Sequence, residues 1–126
     1  MRAYVAGRFT GQARIKVEAQ RLRDLGWKIN ASWLDSVEND VGYSVEDGQR
    51  YANRDLDEIL SADILVLDTL DESTTGGREV EFGYAYACDK GLVVVGPHRN
   101  VFHYLEPVFH FDSWDEFISY VEAIPK

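Results

Sequence analysis

ADILVLDT, residues 62 to 69, decides how this chain is built. Ile64 to Leu67 form an unbroken apolar run between Asp63 and Asp68. A strand with one wet face would alternate apolar and polar residues; this one does not, so both of its faces are covered. GLVVVGP, residues 91 to 97, repeats the pattern. Two such strands call for helices on both sides of a sheet, and the flanking sequence supplies them. GQARIKVEAQRLRDLGWKI (11–29) carries an apolar stripe at Ile15, Ala19, Leu22 and Leu25, with Gly26 as a stop. Ser44 and Asp47 are spaced as a capping pair and open a second helix from Val45 to Leu60. Ser113 and Glu116 do the same for a last helix over Trp114 to Ala123. RAYVAG (2–7) reads as the opening strand, WKINASWL (27–34) as a second and Val108–Phe111 as a short last one, while the acidic DSVENDVGY (35–43) reads as a loop.

Strands alternating with helices predict one α/β domain over residues 1–126, a three-layer flavodoxin/Rossmann-like fold with a mostly parallel five-stranded sheet. At 126 residues and 45% hydrophobic content, the chain is long enough for one real core. Its net charge of −9 opposes binding to a nucleic-acid polymer, which rewards a basic surface, but not a single nucleoside or nucleotide in a pocket. Cys88 is the one cysteine, so no internal disulfide is expected and a reducing cytoplasmic setting is the simplest reading. MRAYVAG is too short an apolar run for a leader or a membrane span. His98, His103 and His110 match no usual zinc spacing, and we expect neither metal nor cofactor.

In parallel sheets, ligands bind at the carboxyl ends of the strands. Three loops should meet there: Gly7-Arg8-Phe9-Thr10-Gly11, Asp68 to Gly77, and Gly96 to Asn100. TTGGREVEFGYAYA (74–87) is a loop, then Gly76 and Gly77, then a helix whose free N–H groups suit an anion or a polar sugar. Glu81 shares a helix face with Tyr84, Ala85 and Cys88, which aims a carboxylate the way the packing face points. Such a carboxylate suits attack on an anomeric carbon, whose transition state has oxocarbenium character. A second carboxyl group must then supply the leaving-group proton, and Asp55, Asp57, Asp63 and Asp68 are the candidates. The bland reading is a first-turn glutamate that complements the helix dipole, a part that Glu79 fits better. Cys88 reads as a small buried hydrophobe. The aromatic run VFHYLEPVFHF (101–111) reads as core packing, a subunit interface or a lid.

Four segments together resemble the nucleoside 2-deoxyribosyltransferase family, which includes deoxynucleoside 5′-monophosphate N-glycosidases. They are YVAG with Tyr4; NRDLDEILSADILVLD, residues 53 to 68; GGREVEFGYAYA with its Glu-x-Gly-Tyr-Ala core; and Asn100 in GPHRNVF. The third is the most specific. The resemblance implies Glu81 as a nucleophile forming a glycosyl ester, Asp55 as the acid at the departing base, and Tyr4 as the hydroxyl that orients the nucleophile. The loops at the strands' carboxyl ends put Gly7, Arg8, Phe9, Thr75, Gly76 and Gly77 forward as the residues that line the substrate site. Asn100 would reach a neighbouring subunit's site near the sugar's 5′ end, which makes the protein a homo-oligomer. Substrates would be small nucleosides or nucleotides and a nucleobase. In transferases of the family an acidic residue often stands six positions before the nucleophile; here that position is Thr75, and the chain is shorter than typical members. Asn100 leans toward nucleosides, since phosphate-binding members tend to carry Ser there. Arg8, Thr10, Arg78 and the glycine loop lean toward a phosphate. Two other readings use the same parts. A phosphoribohydrolase of the lysine-decarboxylase-like type would carry a longer Pro-Gly-Gly-x-Gly-Thr loop, absent from STTGGREVE. A non-catalytic nucleotide sensor would need neither Glu81 nor Asp55.

Overall fold

The computed structural model describes residues 1–37, 42–73 and 75–125. Residues 38–41 of the acidic loop and Thr74 lie outside it. The strands are β1 (Arg2–Ala6), β2 (Lys28–Ile29), β3 (Ile64–Asp68), β4 (Gly91–Val95) and β5 (Val108–Phe111). The helices are α1 (Gln12–Asp24), α2 (Val45–Ser61), α3 (Gly77–Ala87) and α4 (Trp114–Ala123). All strand pairs are parallel, in the order β2-β1-β3-β4-β5. The sheet is thus wholly parallel, in keeping with the mostly parallel sheet expected from the alternation of strands and helices.

The chain steps outward from β1 to β2, then back across to β3, β4 and β5. Right-handed crossovers therefore put α1 on one face and α2 and α3 on the other. Contacts agree, α2 packing on α3 and α1 on α4. The residues that make β3 and β4 continuous apolar runs are buried on both faces, Leu65 to Leu67 and Leu92 to Val95 being at most 2% exposed. Helix α1 buries Ile15, Ala19 and Leu22 of its stripe. Gly7 follows β1 where a Cβ would lie 2.4 Å from Ile15 Cδ1, so a larger residue would force the Ile15 side chain to repack.

The predicted caps form. Ser44 Oγ accepts from Asp47 N–H at 3.0 Å, and Ser113 Oγ accepts from Glu116 N–H at 3.1 Å. Strand β2 is shorter than WKINASWL suggested, because the chain turns into a 3-10 segment at Ser32–Asp35. Glu58 on α2 holds that turn, accepting from both the N–H and the hydroxyl of Ser32. Another 3-10 turn, Val101–Tyr104, occupies the β4–β5 connection. Among the described residues no helix is long and apolar enough to cross a membrane.

Candidate active site

The strand order reverses between β1 and β3, and a crevice opens at their carboxyl ends, as the doubly wound topology requires. Its rim is rigid. Asp68, at the end of β3, is 1% exposed and fully engaged. It takes a two-pronged bond from Arg14 at 2.8 and 3.0 Å, one from Trp114 Nε1 at 2.7 Å and one from Leu70 N–H at 3.0 Å. The loop that follows is held by arginines bonded to its carbonyls: Arg78 to Asp68 and Asp71, Arg99 to Thr69 and Leu70, Arg8 to Glu72. Asp68 is therefore a structural carboxylate. Removing its partners would leave a buried carboxylate unpaired, which is unfavourable.

A cleft of about 160 Å³ opens beside this rim, and Tyr4, Asp55 and Glu81 share it. They arrive from three elements on one side of the sheet. Tyr4 projects from β1 and is wholly buried. Asp55 lies on α2, and Glu81 lies one turn into α3. Tyr4 Oη donates to Glu81 Oε2 at 2.5 Å. Asp55 is close enough to Glu81 for a side-chain hydrogen bond between the two carboxyl groups. Burial pushes the Glu81 carboxyl up to about 8. The Tyr4 hydrogen bond opposes the shift, and the Asp55 charge adds to it. Burial also raises the Tyr4 phenol well above its ordinary value, with Glu81 and Asp55 adding to the effect, so Tyr4 stays a neutral donor. Of the four candidate acids only Asp55 borders the cleft. Asp57 faces a separate polar groove with Arg2 and Lys28. Asp63 sits at the opposite, amino end of β3, accepting from Arg2 N–H.

Gly7, Arg8, Phe9, Thr75 and Gly77 line the same cleft. Gly76 stands behind Gly77 as the N-cap of α3 with φ +80°, the left-handed region where a Cβ is strained. Gly77 differs: its φ is not positive, and an added Cβ would meet nothing within 4 Å. The free space it leaves faces the cleft. Gly77→Ala is expected to leave the melting temperature unchanged or slightly raised, because alanine favours helix. It should raise KM roughly tenfold if a substrate approaches the backbone there, about 1.4 kcal/mol. A parallel melt and kinetic series checks both halves.

Residues 96–100 meet the loop after β3 at this edge, Arg99 donating to the carbonyls of Thr69 and Leu70 and Thr69 Oγ1 to that of Pro97, but they do not line this cleft. Asn100 borders a larger apolar groove on the outer side of α3, with Val80, Gly83 and Phe102. It also caps the 3-10 turn, accepting from Phe102 N–H at 2.9 Å. Beneath it, His103 is buried, accepting from Arg99 N–H through Nδ1 at 2.9 Å. Its Nε2 therefore carries the hydrogen and donates to Glu79 at 3.0 Å. Glu79 thus anchors the start of α3 to the next loop, more than the dipole-complementing part read from sequence. Cys88 is half-buried at the end of α3, more accessible than expected.

Three lining residues were absent from the sequence-based site: Trp33, Tyr43 and Ser73. The rule that carboxyl-end loops form the site points to Trp33, which follows β2, and to Ser73, which follows β3. Trp33 Nε1 donates to Val5 O at 2.7 Å, which fixes the indole as a wall beside Phe9. Tyr43 lay at the far end of the irregular acidic loop, where no pattern marked it.

No protein-family profile and no curated sequence matches the chain. Solved structures do. A 2-deoxyribosyltransferase from the psychrotolerant bacterium Bacillus psychrosaccharolyticus superimposes with a TM-score of 0.74 at 22% identity, over 95% of this chain and 92% of that one. A CMP N-glycosidase from Clostridium botulinum gives 0.68 at 16% identity, over 98% and 100%. A conserved protein from Enterococcus faecalis V583 gives 0.66 at 16%, over 97% of each chain. At these identities the match establishes a shared three-layer α/β fold. It also shows that the chain is close in length to these proteins, not markedly shorter.

Proposed function

We propose that the protein cleaves the N-glycosidic bond of 2′-deoxyribonucleosides and transfers the deoxyribosyl group to another nucleobase through a glycosyl ester on Glu81. The observation that carries this reading is the meeting of Glu81, Asp55 and Tyr4 in one cleft at the carboxyl edge. Two carboxyl groups in mutual contact fit a retaining displacement, in which one attacks and the other handles the proton. The ionised Glu81 attacks C1′ while the C1′–N bond breaks, its electron pair going to the base nitrogen, which takes the proton from Asp55. An incoming base reverses the steps. Tyr4 holds Glu81 Oε2 in place, and the Trp33 and Phe9 rings supply flat apolar walls for a base. The 2-deoxyribosyltransferase and CMP N-glycosidase among the structural neighbours support this class of chemistry.

One set of observations favours a second reading, hydrolysis of a 5′-monophosphate: Arg8, Arg78 and the N-terminus of α3 all border the cleft. A chromatographic panel of deoxynucleosides and their 5′-monophosphates, each with and without a second base, separates the two. A new nucleoside formed only with added base supports transfer. Base released without an acceptor, chiefly from monophosphates, replaces transfer by hydrolysis. No turnover at all leaves a nucleotide sensor.

Asn100 points away from its own cleft, in keeping with service to a second copy in a homo-oligomer. Asn100→Ala is expected to raise KM for the sugar, and to cost about 1 kcal/mol through the lost cap. Sedimentation with parallel kinetics tests this: a fully active monomer removes the cross-subunit role.

A further inference from the structure

Arg54 stands beside the carboxyl pair, and the proposed reaction has not yet used it. It lies on α2 next to Asp55 and donates to Asp55 Oδ1 twice, through Nε at 3.1 Å and Nη2 at 2.9 Å. Both partners are shielded, with side chains 24% and 21% exposed, so the pair is far less screened than a surface bridge. The guanidinium is held from behind, its carbon 5.2 Å from the centre of the Tyr51 ring, and Glu58 lies 4.0 Å from Nε. Among the described residues, the charged or titratable groups packed against the two carboxyl groups or sharing their cleft include Arg54, Tyr51 and Glu58 on α2, Tyr4 on β1, Arg78 on α3, and Arg8 and Tyr43.

Two carboxyl groups in contact in a half-closed cleft do not both ionise readily; they share a proton. Which one keeps the charge depends on its other partners. Asp55 has a guanidinium in direct contact, while Glu81 has a neutral phenol donor and feels the Arg54 charge without an Arg54 hydrogen bond of its own.

We propose that Arg54 is a positioning residue that keeps Asp55 the charged member of the pair, so that the shared proton rests on Glu81 until a substrate enters. The inference rests on the proposed roles of Glu81 and Asp55. Its consequence is that the resting proton sits on the nucleophile and not on the acid. A substrate whose base nitrogen accepts a hydrogen bond from Asp55 draws the proton across. Glu81 then becomes the carboxylate that attacks C1′, and Asp55 becomes the acid that protonates the leaving base. One proton serves both residues, and none enters from solvent during glycosyl transfer. Until that moment the nucleophile is masked.

The test is a carbon-13 titration of the Glu81 and Asp55 carboxyl groups in the substrate-free protein, compared among wild type, Arg54→Lys and Arg54→Gln. In wild type the higher titration is expected at Glu81. In R54Q it should move onto Asp55 or divide between the two, and R54K should restore the wild-type pattern. Turnover gives a second readout: the alkaline limb of the kcat/KM profile should rise by about one pH unit in R54Q, because the pair loses a neighbouring positive charge. A merely structural Arg54 would lower the melting temperature and leave the assignment at Glu81. A proton already on Asp55 in wild type, or one still on Glu81 in R54Q, overturns the inference. The titration needs no turnover, so an inactive protein with the expected titrations would count against the glycosyl-transfer reading and not against this one.

Discussion

Glu81→Gln should abolish glycosidic cleavage, lowering kcat by at least about 10³-fold, because a neutral amide is a poor nucleophile and the neighbouring Asp55 carboxyl is bound by Arg54 and committed to the leaving-group proton. The same substitution should stabilise the fold at alkaline pH. Glu81 has a folded-state value near 8, against 4.5 for an unperturbed carboxyl. The native protein therefore binds more protons than the unfolded chain between those values, and stability falls as pH rises through that window. The favourable contribution is complete below about pH 4.5 and lost above about pH 8. Glutamine is neutral throughout. The variant should gain roughly 5 °C over wild type at pH 9, corresponding to about 1–2 kcal/mol in a domain of this size, with the gain vanishing near pH 4.5. Thermal melts across pH, run beside the assay, check both halves. An active variant removes the nucleophile assignment, and a variant that melts below wild type at pH 9 removes the account of its burial.

The second large effect is expected at Asp55. Asp55→Asn should slow release of a poor leaving group roughly 10²–10⁴-fold, the usual contribution of a positioned acid. For an activated base that departs without a proton, the loss should be less than about tenfold. A plot of log kcat against leaving-group pKa should therefore be steeper for the variant than for wild type. Parallel lines would mean that Asp55 contributes charge or structure and not the proton. The neighbouring Asp57 is the natural control, since it faces the separate groove with Arg2 and Lys28. Its replacement should leave the slope unchanged.

Much of the architecture was legible because the residues that build it act locally. Ile64 to Leu67 and Leu92 to Val95 announce buried strands by their lack of alternation, and Ser44 and Ser113 announce helix starts by one hydrogen bond each. Strand β2 was less legible. Its two residues carry little pattern, and where it stops is set by Glu58, 29 positions beyond Ile29, through its hold on Ser32. The candidate site divides the same way. The motif around Glu81 marked one carboxylate, but helical spacing could not choose among Asp55, Asp57, Asp63 and Asp68. Distance across the α2–α3 packing makes that choice. Asp68 looked available in sequence because its partners, Arg14 and Trp114, are 54 and 46 positions away. Trp33 was passed over because its indole faces the cleft only after its N–H has been claimed by Val5.

The bond from Tyr4 to Glu81 joins residues 77 positions apart. Between them lie the excursion out to β2 and the return across the sheet to β3. This ordering has a kinetic meaning. Closing so long a stretch of chain is entropically costly and comes late, after nearby segments have ordered. A folding intermediate that lacks the central β1–β3 pairing has no organised cleft, however much helix it contains. During refolding, the ability to bind a ligand is thus a late-appearing property, and it reports completion of the central sheet better than helix content does.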